Sequence, residues 1–200
     1  MRKIIFYLLF LPCSFLFAQD ADLKLQNGIL KFNTGNYKGA IVDLKQVVDN
    51  DPKNIEGHYY LAECRFIFKE YKTAMESFNK AIKYDGKHIK AFKGRGKLKA
   101  IMGDYRGSIQ DFDKCVKINP EYSDAYYNRA LSYKNLNQYE ESINDFSKVI
   151  ELNPEDYEAY FNRGKTKLDS GDKEGACLDW SKSAELGYFD AYDTIKENCN

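Results

Sequence analysis

Two amphipathic runs, Asp124–Leu136 and Tyr139–Leu152, lie between identical Asn-Pro dipeptides at Asn119-Pro120 and Asn153-Pro154, with Asn137-Gln138 separating them. Each run carries an apolar stripe on one side of a 3.6-residue period, so the stretch predicts two helices joined by a tight turn. Pro120 to Pro154 is a step of 34 residues. A fixed period of that size predicts stacked helix hairpins, because one hairpin cannot bury its apolar face alone.

Moving the frame by the same step gives five units without insertion or deletion: 21–54, 55–88, 89–122, 123–156 and 157–190. The eighth residue of each is small (Gly28, Ala62, Gly96, Ala130, Gly164), and so is the twentieth (Ala40, Ala74, Ser108, Ser142, Ala176). Small residues at both places let the two helices of a hairpin come close. The twenty-fourth is large and apolar throughout: Leu44, Phe78, Phe112, Phe146, Trp180. Tyr holds the seventeenth in four units, at Tyr37, Tyr71, Tyr105 and Tyr139, and Lys173 in the fifth. Pro52, Pro120 and Pro154 close three units, where proline stops one helix and suits the start of the next element.

This combination resembles the tetratricopeptide repeat family over everything after about residue 20. The resemblance implies an all-α solenoid of five helix-turn-helix repeats wound as a right-handed superhelix. Residues 191–199 are read as a C-terminal capping helix, with Tyr192 and Ile195 covering the last hairpin while Asp193, Lys196 and Glu197 face water. The chain departs from the family pattern at its bulky fourth position (Lys24, His58) and at its eleventh, where only Tyr133 keeps the tyrosine. Gly86 and Tyr188 stand where the closing proline would be. Turns are expected at Thr34-Gly35-Asn36, Gly103-Asp104, Asn137-Gln138 and Gly171-Asp172; Phe68-Lys69-Glu70 is the least well specified. Asp20 and Asp22 are expected to lead into the first repeat helix, where early acids suit its positive end.

Residues 1–18 have a basic start, an apolar run from Ile4 to Ala18 and a small residue before Gln19, the layout of a secretory signal peptide. Pro12 interrupts the run, which is short of the roughly 20 apolar residues a spanning helix needs. Cleavage after Ala18 leaves 19–200 as the repeat domain, exported to a periplasm or secreted. Lipid attachment at Cys13 is the alternative, and Pro12 just before it fits that processing poorly.

Composition changes the picture little. Lys plus Arg and Asp plus Glu are balanced at 30 each, and removing Arg2 and Lys3 leaves 28 against 30. Such a chain has no bulk attraction to nucleic acid or anionic lipid. The 16 Tyr and 13 Phe are mostly absorbed by repeat positions as interhelix packing. Four cysteines remain after position 18, allowing three pairings in an oxidising compartment. A Cys177–Cys199 bond is expected to hold the cap to the last hairpin, with Cys64 and Cys115 as buried small hydrophobes.

Arg95, Arg129 and Arg163 share the seventh position, and each has an Asp 16 residues later: Asp111, Asp145 and Asp179. This spacing predicts an intra-hairpin Arg–Asp ladder. By the family resemblance, first helices line a concave groove, placing Tyr59, Glu63, Lys90, Lys93, Lys97, Tyr127, Asn128, Leu131, Phe161, Asn162 and Lys165 on its wall. Aromatics, amides and lysines together suit an extended peptide. The family's carboxylate clamp is incomplete, because Lys93, Lys97 and Asn128 are followed by Glu158 and Asn162.

No catalytic, cofactor or metal site is expected. His58 and His88 lack a nucleophile at readable spacing, Gly94-Arg95-Gly96 lies inside a helix, and Glu140-Glu141 are surface charges. The leading expectation is an exported, non-catalytic adaptor or scaffold that binds a protein partner, in an envelope or secretion assembly. A module for glycans or peptidoglycan fragments, stacking on Tyr59, Tyr127 and Phe161, is a second reading, and a secreted effector of a partner enzyme a third.

Overall fold

The computed structural model describes residues 13–199, with side chains from 22 onward. Residues 1–12 of the expected leader lie outside the described residues. Among the described residues there are eleven helices and no strand. The chain divides into two compact units, one ending at Gly86 and the other running from Lys87.

The first unit holds two hairpins, α1 (Cys13–Asn33) with α2 (Tyr37–Asn50) and α3 (Ile55–Ile67) with α4 (Tyr71–Tyr84). The second holds α5 (Ile89–Ile101) with α6 (Tyr105–Ile118), α7 (Ser123–Asn135) with α8 (Tyr139–Leu152), α9 (Tyr157–Asp169) with α10 (Lys173–Glu185), and the single helix α11 (Asp190–Asn198). The all-α hairpin architecture expected from the period is therefore present.

Each hairpin turns in the same way. The amide one residue past the left-handed position donates to a carbonyl five residues back, as in Asn36 to Lys31 (2.8 Å) and Glu70 to Arg65 (2.9 Å). Sharp reversal of this kind needs one residue with positive φ. Gly35, Gly103 and Gly171 supply it at no steric cost, while Asn137 (φ 57°) and Lys69 (φ 60°) supply it elsewhere. The turn at Phe68-Lys69-Glu70 thus closes like the others despite lacking Gly or Asn. Side-chain caps then start most helices: Asn36 accepts from the Gly39 amide, Asn54 from Gly57, Asp104 from Gly107 and Asp172 from Gly175.

Within a hairpin, the small eighth residue lies against the large twenty-fourth. A Cβ placed on Gly164 would meet Trp180 Nε1 at 2.7 Å and Cδ1 at 2.9 Å. Leu44, Phe78, Phe112, Phe146 and Trp180 are all buried. In the first unit Ala40, Leu44, Leu61 and Cys64 form a core flanked by Leu25, Phe32 and Tyr60. In the second, Ala130, Phe146, Val149 and Ala159 do the same.

The Arg–Asp ladder is present. Arg95 Nη2 lies 2.6 Å from Asp111, Arg129 Nη2 2.7 Å from Asp145, and Arg163 Nη2 2.7 Å from Asp179, each bond doubled through Nε. Asp111 and Asp179 each take a second cation, Lys99 and Lys167, both at 2.9 Å. Arg129 also reaches Asp113, and Arg163 reaches the Ser147 hydroxyl, 16 residues before each arginine. One guanidinium therefore joins its own second helix to that of the preceding hairpin. Burial pulls Arg129 down, but Asp145 and Asp113 outweigh it and hold the guanidinium charged. Burial pushes the Asp145 carboxyl upward against the opposing pull of Arg129.

Cys177 and Cys199 are bonded, with Cα atoms 5.8 Å apart, so α11 is tied to α10. Cys64 and Cys115 are free and buried. Burial, with Glu63 adding to it, pushes the Cys64 thiol up to about 11; burial and Asp111 push Cys115 up to about 12.

Two expectations need correction. Helix α1 spans Cys13–Asn33, so Asp20 and Asp22 lie within it and do not lead into it. In α11, Tyr192 is 56% exposed, and Ala191 is the buried contact. A helix of nine residues has room for only one tight contact line, and the small side chain occupies it.

His58, at the bulky fourth position, is buried, stacks on Tyr84 and has Nε2 2.9 Å from the Pro52 carbonyl. Burial lowers its pKa, aided by Lys80 and Arg65 and opposed by the Pro52 bond and Asp51. The folded unit thus binds a proton less readily than the unfolded chain. Stability from this group is complete above the ordinary histidine range and is lost as pH falls through the folded value. Urea midpoints of the first unit, followed by hydrogen exchange from pH 7.5 to 5, are expected to fall with pH, and the fall is expected to be shallower in His58→Gln.

Candidate functional site

The first helices α5, α7 and α9 share a polar face knitted by side chains. Lys93 on α5 pairs with Asp124 at the start of α7 at 3.0 Å and lies over the Tyr122 ring at 5.4 Å. Burial works against its charge, but bonds to Tyr122 and Asp124 prevail and raise its pKa. Asn162 on α9 donates to the Tyr127 hydroxyl of α7 at 2.9 Å.

A furrow of about 250 Å³ opens on this face, lined by Lys97, Ser123, Asp124, Tyr127, Asn128, Asp156 and Glu158. Its acids are not equivalent. Asp124 is matched by Lys93, and Asp156 caps α9 by accepting from the Ala159 amide at 2.9 Å. Glu158 is exposed on the first turn of α9. Lys97 faces the furrow from α5 and is exposed.

Asn128 and Asn162 occupy the same register on consecutive hairpins. Each donates its NH2 to the carbonyl one turn back, Asn128 to Asp124 at 2.6 Å and Asn162 to Glu158 at 2.8 Å. Those bonds fix both amide planes before anything binds. Preset amides recognise a peptide backbone at low ordering cost.

The apolar residues expected on this wall also pack against neighbouring side chains. The Tyr127 ring meets Phe146 edge-on at 5.5 Å, and burial, then Glu158 and Asp156, push its phenol up to about 12. Leu131 packs on the Ala130–Phe146–Val149–Ala159 cluster. Phe161 meets Tyr188 at 4.8 Å, its carbonyl accepts from Trp180 Nε1, and Lys165 lies over its ring at 5.7 Å. All three are half-buried; Tyr127 also lines the furrow, and Phe161 with Lys165 lines a second pocket of about 210 Å³. Lys90 is exposed on α5. In the first unit Tyr59 packs against Tyr60 and Phe78, and Glu63 is half-buried on the same helix.

Sequence reasoning did not name Ser123, Asp156 or Glu158 as a group. Asp156 follows the Asn-Pro dipeptide by two residues, a helix-start signal that places its carboxylate at the mouth of the furrow. Among the described residues, no group of three or more His, Cys, Asp or Glu is placed to hold a metal, and no helix is long and apolar enough to cross a membrane.

Family models described as tetratricopeptide repeat match residues 25–88, 94–122 and 123–156, together well over half of the chain. No curated protein matches the sequence. Among solved structures, a crystal structure of MamA protein is 24% identical, covering 84% of this chain and 92% of that one, with a TM-score of 0.78. YrrB, described as a TPR protein with an unusual peptide-binding site, is 17% identical, covers 86% and 90%, and has a TM-score of 0.77. PilF of Pseudomonas aeruginosa is 20% identical, covers 85% and 78%, and has a TM-score of 0.74. At such identities the likeness speaks for the fold.

Proposed function

The chain belongs to the tetratricopeptide repeat family, and from that premise we propose that it is a non-catalytic scaffold holding an extended segment of another protein. The observation that carries this reading is the furrow of α5, α7 and α9, lined by the fixed amide of Asn128, with the matching amide of Asn162 held the same way one repeat on. Asp156 and Glu158 favour a basic side chain on the segment, and Lys97 an acidic one beside it. The peptide-binding description of YrrB supports the same use of the fold.

The scaffold works outside the cytoplasm in this reading. The leader-like residues 1–18 and the Cys177–Cys199 bond support export, since such bonds persist in oxidising compartments. Periplasmic or secreted, it serves an envelope or secretion assembly.

A photoreactive phenylalanine at Asn128 is expected to crosslink a defined protein in the native host. Lys97→Ala with Asn128→Ala is expected to weaken capture by about 10-fold or more without loss of helicity. Tyr127 is a poor probe, because its ring supports Phe146. Retention on peptidoglycan with no crosslinked protein would instead favour the glycan-binding reading.

A further inference from the structure

Ala191 of α11 stands one 34-residue period after Tyr157 of α9, so the cap takes the place of a further first helix. Between α7 and α9 a side-chain bridge closes the step, the Asn162 amide donating to the Tyr127 hydroxyl. One period on, the same two places hold Phe161 and Lys196. Phenylalanine has no hydroxyl to take such a bond, and a pocket of about 210 Å³ remains where α9, α10 and α11 meet.

The floor of this pocket is apolar and fixed. Trp180 is buried, with Nε1 already given to the Phe161 carbonyl at 3.1 Å, and Tyr188 holds the Phe161 ring edge-on at 4.8 Å. Leu168 adds an aliphatic wall, and Thr194 and Asn198 close the side that belongs to the cap. Thr194 donates its hydroxyl hydrogen to the Asp190 carbonyl at 3.2 Å, and Asn198 donates from its amide to the Thr194 carbonyl at 2.9 Å. The Cys177–Cys199 bond keeps this wall in place.

Charge enters from one side. Asp169, also on the rim, is matched by Lys134 of α7 at 3.1 Å. Lys165 is exposed, lies 5.7 Å over the Phe161 ring and makes no ion pair among the described residues. An apolar floor thus adjoins an unmatched cation. The pocket is smaller than the roughly 300–1,000 Å³ of a small-molecule site and has room for one side chain.

We propose that it seats one aliphatic side chain of the partner, with an Asp or Glu beside it in the partner's sequence whose carboxylate meets Lys165. The segment is that of the scaffold reading above, on which this contact rests: the furrow favours a basic residue through Asp156 and Glu158, and the pocket an aliphatic–acidic pair. A chain end would ask for a second convergent donor beside Lys165. Thr194 and Asn198 give hydrogens to their own helix, which leaves a side-chain carboxylate as the match.

Tryptophan-free random dodecapeptides, displayed on phage with their C-termini fused to the coat and selected on the purified protein, are expected to converge on Leu, Ile or Val next to Asp or Glu. The enriched peptide, synthesised with both ends blocked, is expected to change the emission of Trp180, the chain's one tryptophan, on titration. Lys165→Glu is expected to weaken that peptide by at least about 10-fold and, in a fresh selection, to replace the acid by Lys or Arg. Thr194→Phe, which fills the pocket from the cap, is expected to weaken it as well; circular dichroism checks that both variants stay folded. Lys97→Ala with Asn128→Ala is expected to lower affinity while leaving the aliphatic–acidic preference intact. No enriched peptide, peptides lacking the acid, unchanged Trp180 emission, or acids still selected by Lys165→Glu would each overturn the proposal. Capture sensitive to Lys97 and Asn128 but indifferent to Lys165→Glu and Thr194→Phe would overturn it and leave the scaffold reading standing. The reverse pattern would support the pocket and remove the furrow.

Discussion

Asp179→Ala is expected to destabilise the second unit by about 3–5 kcal/mol, the range for removing one side of a buried ion pair. The carboxylate is nearly inaccessible and bonds both Arg163 and Lys167, whose side chains are 17% and 19% exposed. Alanine leaves two cations facing each other with little water to screen them. Asp145→Ala is expected to cost less, because Arg129 keeps its bond to the half-exposed Asp113. Removing both members of that pair, as Arg129→Met with Asp145→Leu, is expected to recover much of the loss, since it abolishes the buried charges along with their attraction. Urea unfolding read by fluorescence isolates the effect. Trp180 is the chain's one tryptophan and sits in this unit. Equal losses for Asp179→Ala and Asp145→Ala would show that the second cation is irrelevant.

The other large effect centres on Trp180, which is 1% exposed, lies against Gly164 and donates Nε1 to the Phe161 carbonyl at 3.1 Å. Trp180→Ala is expected to cost about 3–5 kcal/mol through lost burial and the cavity left behind. Gly164→Ala is expected to cost about 1–3 kcal/mol, because its Cβ would overlap the indole and approach the Ala176 carbonyl at 3.1 Å. The two are not additive. With the indole gone the methyl has space, so Gly164→Ala in a Trp180→Ala background is expected to be close to neutral. Thermal melts followed by circular dichroism close this double-mutant cycle. A full penalty for Gly164→Ala in that background would mean that backbone crowding dominates.

The pairing of Gly164 with Trp180 was legible in the sequence because size alternates at two fixed places in every period, and hairpin packing demands that alternation. Asp111, Asp145 and Asp179 were legible for a similar reason: three arginines share one offset to an acid in the same hairpin. The second set of partners was not. Asp113 and Ser147 differ in chemistry, and their contact with the next hairpin's arginine depends on how hairpins stack. Sequence period gives the length of that step and says nothing of its rotation. The candidate site was legible only in part. Asn128 lines the furrow, but Tyr127, Leu131 and Phe161 look alike in sequence whether they face a partner or a neighbouring helix. Burial distinguishes the two, and burial is a property of the stacked array.

The protected thiols bear on how this chain survives oxidation. Cys64 and Cys115 are buried and held protonated, so within the folded protein neither supplies the thiolate that would attack the Cys177–Cys199 bond. An unfolded chain has no such restraint, and all the sulfurs then compete on equal terms. Correct pairing thus depends on the hairpins collapsing before oxidant arrives, which makes the order of events, more than the redox potential around the chain, the determinant of a homogeneous product.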